Sequence, residues 1–143
     1  AENAITLRTS IIGRELKRFK SLLEWFLSHN NSTVKGYRRA IYSGVTTNYL
    51  AEIVLGLIES HPNLCGLHQV TSESISKYDL LCVLRDAYDL DIKIAPDEKL
   101  FCDRSMNGDR FRLAIKSQTP TWPQLAAQLA NDSTPYDQWR YPS

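Results

Sequence analysis

The chain has 143 residues, of which 43% are hydrophobic and 23% charged, enough to bury one sizeable core and too apolar for a disordered segment. Seventeen basic side chains stand against sixteen acidic ones, a formal net charge of +1, so no global field gathers nucleic acid or an anionic membrane, and any anion site must be local. Cys65, Cys82 and Cys102 form no Cys-x-x-Cys pair, the pattern of reduced cytoplasmic thiols, not of a disulfide framework, and no stretch has signal-peptide or membrane-spanning character.

A strand-like run over residues 4–9, rich in Ile, Leu and Thr, predicts a short buried strand that opens into a loop at 10–14. It starts with almost no leader, so position 1 is expected to be a cut in a longer chain. Residues 15–29 place Leu16, Phe19, Leu22, Leu23, Phe26 and Leu27 at helical spacing, which predicts a long amphipathic helix with Lys17, Arg18 and Lys20 at its start. Asn30-Asn31-Ser32 breaks it, and residues 33–43 read as two extended pieces bent at Gly36.

Thr46 or Thr47 caps the next helix, whose buried stripe is expected to be Leu50, Ile53, Val54, Leu57 and Ile58, before His61-Pro62-Asn63 ends it. Residues 67–71 form a strand candidate. Ser76 with Asp79 approximates a capping box that opens a helix through Tyr88. Residues 90–94 alternate strictly, as a half-exposed strand before Pro96 does. A loop then carries residues 102–105, a short helix is expected over 107–116, and Thr121 with Gln124 makes a second capping box for a helix over 122–130. From Asn131 onward a loosely held tail is expected. Strands and helices mixed without a strict repeat predict an α+β domain.

Four features stand in one order: Leu7-Arg8-Thr9-Ser10-Ile11-Ile12-Gly13 at a strand end, a long amphipathic helix, Ser43-Gly44-x-Thr46-Thr47 at a helix start, and the late loop Cys102-Asp103-Arg104-Ser105-Met106-Asn107-Gly108-Asp109-Arg110-Phe111. This order resembles the C-terminal portion of the dTDP-4-dehydrorhamnose reductase branch of the extended short-chain dehydrogenases, from about Ile5 to about Leu129. The resemblance implies the α+β substrate-binding lobe of an NAD(P)-binding Rossmann-type α/β enzyme. Residues 1–14 would then be the last strand and loop of a cofactor domain, 15–130 the substrate-binding lobe, and 131–143 the tail. In the whole enzyme, hydride passes from NAD(P)H to a nucleotide-linked 4-keto sugar, a step of deoxysugar synthesis for surface polysaccharide. Two neighbouring readings share these features: a nucleotide-sugar epimerase or dehydratase, and a non-catalytic regulatory subunit of the same fold, like the partner subunit of methionine adenosyltransferase.

The chain itself lacks the cofactor machinery of that superfamily. Dinucleotide binding needs a glycine-rich turn that lets the pyrophosphate approach backbone N–H groups, and Gly13, Gly36, Gly44, Gly56, Gly66 and Gly108 are too far apart to build one. The acid of the family is a Tyr four residues before a Lys, which lowers the phenol pKa; no Tyr here has Lys at that offset. The fragment alone is therefore expected to bind no cofactor and to be inactive. The N-terminal cofactor domain is its expected partner, and the surface left open by that domain's absence can pair copies of the fragment.

The resemblance also places site residues. Arg8, Thr9 and Ser10 fall where the family borders the nicotinamide, although Ile11-Ile12-Gly13 replaces the Trp-Val-Tyr-Gly that follows in closer members; for Arg8 a plain strand end is the alternative. Arg104 and Ser105 fall where a late Arg meets the substrate, and a guanidinium with a neighbouring hydroxyl suits a diphosphate. A salt bridge from Arg104 to Asp103 or Asp109 is the alternative. Lys17 and Arg18 lie near the family's diphosphate contact, or on a solvated face. Tyr37 and Tyr42 can wall the sugar pocket, or pack in the core. His29, His61 and His68 have no ligand partners at metal spacing and read as structural.

Overall fold

A computed structural model of the chain describes residues 4–139. β1 (Ile5–Arg8) turns Ile5 and Leu7 inward and Thr6 and Arg8 outward. It pairs in parallel with β6 (Gly66–Gln69), from Ile5 opposite Gly66 to Arg8 opposite Gln69. β2 (Ile11–Ile12) continues the chain and pairs in parallel with β5 (Val45–Thr46). The opening strand is thus not the sole strand of its sheet, since a second joins it from the middle of the sequence. α2 (Thr47–Ser60) links β5 to β6, and with α4 (Asp109–Ile115) it covers a small core of Val45, Leu57, Val70 and Phe111.

The larger core lies around β3 (Ser32–Tyr37) and β8 (Ile92–Asp97), parallel over six residue pairs, with α3 (Lys77–Ala87) crossing between them. α1 (Leu22–Leu27) and α5 (Trp122–Ala130) join α3 against this pair, and Leu23, Phe26, Leu80, Leu81, Leu84 and Trp122 are fully enclosed there. A fourth sheet has the order β7-β4-β9: β4 (Ala40–Tyr42) runs antiparallel to β7 (Ile75–Ser76) and parallel to β9 (Cys102–Asp103). α6 (Tyr136–Trp139) closes the described residues. The α+β expectation holds, and among the described residues no helix is long and apolar enough to cross a membrane.

The helix starts form as their caps require. Thr46 accepts the Tyr49 N–H at 3.2 Å. Ser76 accepts the Asp79 N–H at 3.0 Å and donates to the Asp79 carboxylate at 2.6 Å. Gln124 Oε1 accepts the Thr121 N–H at 3.2 Å and its hydroxyl at 3.0 Å. The bonds from the Tyr49, Asp79 and Thr121 N–H groups satisfy backbone donors that the helix starts leave open, and the two hydroxyl bonds hold the capping side chains in place.

Five expectations need correction. The helix expected over residues 15–29 is only α1. Arg18 (φ 71°) and Phe19 (φ 46°) sit in the left-handed region, and the Glu15 carboxylate takes the Lys20 N–H at 3.0 Å, so residues 15–20 form a loop. The cause is Glu24: its carboxylate is buried, accepts from Arg14 Nε at 2.8 Å and from the Glu15 N–H at 2.9 Å, and draws the preceding chain back over itself. Lys17 and Arg18 therefore lie on an exposed loop, not at a helix start.

Gly36 is not the bend between the two strands. It lies inside β3 opposite Pro96, where a Cβ would press on Ile94 and Tyr78, and the chain reverses at Arg38 and Arg39 instead. β8 runs through Pro96 to Asp97, because it is an edge strand, where a missing N–H is tolerated.

In α2 only Leu57 of the expected stripe is buried. Val54 is 41% and Ile58 69% exposed, with Leu55 between them at 55%, because the smaller core takes in only Tyr49, Leu50, Ile53 and Leu57 of this helix.

The tail expected to be loose is fastened as far as the description reaches. The Asp132 carboxylate accepts from Asn48 and Tyr136 at 2.9 Å each, and Arg14 lies 5.3 Å from the centre of the Tyr136 ring. Residues 1–3 and 140–143, the ends of the expected first and last segments, lie outside the described residues.

Candidate functional site

A groove of about 280 Å3 opens between α1, β4, α3 and the loop entering β9. Leu22, Ala40, Ile41, Leu80 and Leu100 give it apolar walls, and its charged members are Lys77 and Arg104. Among the described residues no carboxylate lines it. Arg104 is placed by backbone geometry, since its N–H donates to the Ile41 carbonyl at 3.1 Å and prolongs the β4–β9 ladder. Its guanidinium makes no ion pair among the described residues. Both carboxylates expected to compete for it are engaged elsewhere. Asp103 takes the Ser105 hydroxyl at 2.7 Å and the Ser105 N–H at 2.9 Å, and Asp109 is paired with Arg112. The hydroxyl and the N–H of Ser105 together hold the Asp103 carboxyl below its ordinary range.

Lys77 is the first residue of α3, directly after the cap Ser76. Its ammonium stands 5.6 Å from the Trp25 ring centre and 5.5 Å from that of Tyr37, and it too has no ion pair among the described residues. Burial lowers the Lys77 pKa, as desolvation does to any ammonium without an anion beside it. Tyr42 forms another wall and packs on Trp122 with ring centres 5.7 Å apart. Its hydroxyl is buried beside Ser10; burial pushes the phenol pKa up, while the Ser10 side chain opposes the shift. Gly44 makes that proximity possible, because a Cβ there would collide with the Ser10 carbonyl and the Tyr42 ring. Through Tyr42, the groove wall reaches the C-terminal end of β1.

The residues singled out in the sequence are therefore divided by the fold. Arg104 lines the groove, Tyr37 supports Lys77 behind it, and Ser10 sits next to Tyr42. Lys17 and Arg18 are on the separate exposed loop, and the Ser105 donors are spent on Asp103. Thr9 donates to the Val70 carbonyl at 2.8 Å, so its hydroxyl fastens β1 to the end of β6. Arg8 is exposed on β1. Lys77 went unnoticed in the sequence. Its signal is a cation at the first position of a capped helix, against the helix dipole and with no compensating acid in the groove.

A larger depression of about 460 Å3 runs along α2, but it is lined by Thr47, Leu50, Ala51, Val54, Leu55 and Ile58 and holds no charged group. It is the chemistry of a packing surface, whereas the smaller groove combines cations with apolar walls, as a site for an anionic ring-bearing ligand does.

No protein-family model matches the chain, and no curated protein matches it either. Among solved structures, the fold is that of enzymes acting on nucleotide-linked sugars. The dTDP-4-dehydrorhamnose reductase of Bacillus anthracis, solved with NADP, superposes with a TM-score of 0.71 at 18% identity, covering 89% of this chain and 47% of that one. The corresponding reductase of Yersinia enterocolitica gives 0.68 at 15% identity, over 88% of this chain and 48% of that one. The UDP-N-acetylglucosamine 4-epimerase of Bacillus cereus gives 0.67 at 12% identity, over 88% and 46%. The chain spans about half the length of the structures it matches, and in fold it corresponds to part of a dTDP-4-dehydrorhamnose reductase.

Proposed function

We propose that this chain is the C-terminal, substrate-binding portion of a nucleotide-sugar reductase of the dTDP-4-dehydrorhamnose reductase type. The N-terminal part would bind NAD(P)H and supply the Tyr-Lys acid. The observation that carries this reading is the groove: within a fold shared with these reductases, it presents a guanidinium that no carboxylate neutralises, on walls suited to a ring. A nucleotide diphosphate sugar offers both parts, an anion for Arg104 and rings for the aliphatic and tyrosine walls. When bound in the whole enzyme, NAD(P)H supplies the hydride that reduces the 4-keto carbon. The residues of this chain hold the substrate. At about 280 Å3 the groove is slightly smaller than the roughly 300–1,000 Å3 of a complete ligand pocket, so it takes part of the nucleotide sugar and leaves the reacting end to the cofactor half.

The open apolar ridge of α2 and the β1 edge that β6 leaves unpaired give the cofactor half a surface to pack on. An epimerase reading draws support from the fold match to the UDP-N-acetylglucosamine 4-epimerase, whose TM-score of 0.67 lies close to those of the reductases.

The test is kinetic. In the whole enzyme, Arg104→Ala raises the KM for the nucleotide sugar about tenfold or more and leaves the KM for NAD(P)H unchanged. Unchanged substrate KM removes Arg104 from the site. In assays of the product, a reduced sugar with stoichiometric NAD(P)H consumption identifies the reductase, and isomerisation without net consumption identifies the epimerase.

A further inference from the structure

We infer that residues 132–139 form a strap that holds the loop over residues 14–20 closed, and that release of the strap frees this loop while the cores stay folded. The loop needs such a hold. Its Lys17, Arg18, Phe19 and Lys20 are exposed, and both Arg18 and Phe19 sit in the left-handed region. Non-glycine residues keep that conformation only where surrounding contacts impose it. Two carboxylates shape the turn: Glu24 accepts the Glu15 N–H at 2.9 Å, and Glu15 accepts the Lys20 N–H at 3.0 Å. The loop then leads directly into α1, whose Leu22 is a wall of the groove.

Arg14 joins the loop to the tail. Its Nε donates to Glu24 at 2.8 Å on the inner side. On the outer side its guanidinium lies 5.3 Å from the centre of the Tyr136 ring and 3.4 Å from the Asp137 carboxylate. The ring is the stronger hold, because Asp137 is exposed and water screens its charge. Tyr136 is itself pinned, since its hydroxyl donates to Asp132 at 2.9 Å. The same carboxylate takes Asn48 Nδ2 from the first turn of α2 and the Thr134 N–H, each at 2.9 Å. The tail is thus fixed at Asp132 and presses on Arg14 at Tyr136. These holds are polar and lie at the edge of the domain, where a segment opens at the least cost and closes again without unfolding what lies beneath.

The experiment is limited trypsin digestion of the 143-residue chain, with the cleaved bonds identified by mass spectrometry. The loop carries its own cleavage sites at Lys17, Arg18 and Lys20, while Lys35 in β3 and Lys93 in β8 report opening of the larger core. Tyr136→Ala and Asp132→Ala are each expected to speed cleavage in the loop about tenfold and to change Lys35 and Lys93 less than about twofold. Gln138→Ala, an exposed change on the same turn, is expected to match wild type, and exchange of the Lys20 amide should speed up only in the first two variants. Unchanged loop cleavage in both of those variants overturns the strap. Equal acceleration at Lys35 and Lys93 also overturns it, since the tail would then belong to the cooperative core, as does the same acceleration in Gln138→Ala.

Discussion

Trp122 joins the core to the groove, and its removal has a calculable effect. The side chain is fully buried at the start of α5. Its Nε1–H donates to the Glu73 carbonyl at 3.0 Å, its backbone N–H donates to the Glu73 carboxylate at 2.9 Å, and its ring meets Tyr42 at 5.7 Å. Trp122→Ala removes the largest of the enclosed side chains, and the loss of transfer energy plus the residual cavity costs about 3–5 kcal/mol. Glu73 is exposed, so water replaces the indole donor and the broken hydrogen bond adds little. Trp122→Phe keeps most of the volume and costs about 1–2 kcal/mol. At about 2–4 °C per kcal/mol for a chain of this size, the alanine variant melts about 6–20 °C lower. Circular dichroism at 222 nm follows unfolding without relying on the indole that has been removed. A shift below about 2 °C in Trp122→Ala would refute the packing argument. Equal losses in both variants would transfer the energy from volume to the Nε1–H bond.

Two further predictions concern the edges of the domain. The Asp132 carboxyl is held well below its ordinary range, chiefly by the Thr134 side chain and then by Asn48 and the Thr134 N–H. A depressed folded-state pKa means that these bonds support the tail above about pH 3.9 and are lost as pH falls towards the folded value. The Thr134 amide resonance is expected to titrate with a midpoint below about 3.9 and to stop titrating in Asp132→Asn; a midpoint at or above 3.9 would count against the network. On α2, Ile58→Glu is expected to change the stability of this chain by less than about 0.5 kcal/mol, because Ile58 is already 69% exposed. Light scattering should show copies pairing through this ridge in wild type and a monomer in the variant, and monomer in both removes the ridge as a contact surface.

How much of this was legible depends on which signals are local. The caps at Thr46, Ser76 and Thr121 could be read directly, because each is a side chain meeting a backbone N–H three residues away. The first helix was overextended because Leu16 and Phe19 keep its spacing, although they end 42% and 37% exposed. Nothing in the spacing shows that Glu24, on the same helix, is to be buried against Arg14 and Glu15. The exposed half of α2 was equally hidden, since periodicity marks an apolar face without saying what covers it. Arg104 could be found through a resemblance in motif order. Lys77 offered only a cation at the start of a capped helix, and the rest of its setting comes from Trp25 and Tyr37, which reach it from other elements.

The same comparison weighs a structural role for Lys77 against a ligand role. An apolar side chain of equal length would pack between Trp25 and Tyr37 without carrying a charge out of water, and ring contacts recover only about 0.5–2 kcal/mol for a cation. Stability alone therefore gives little reason to keep an ammonium there, without an ion pair among the described residues.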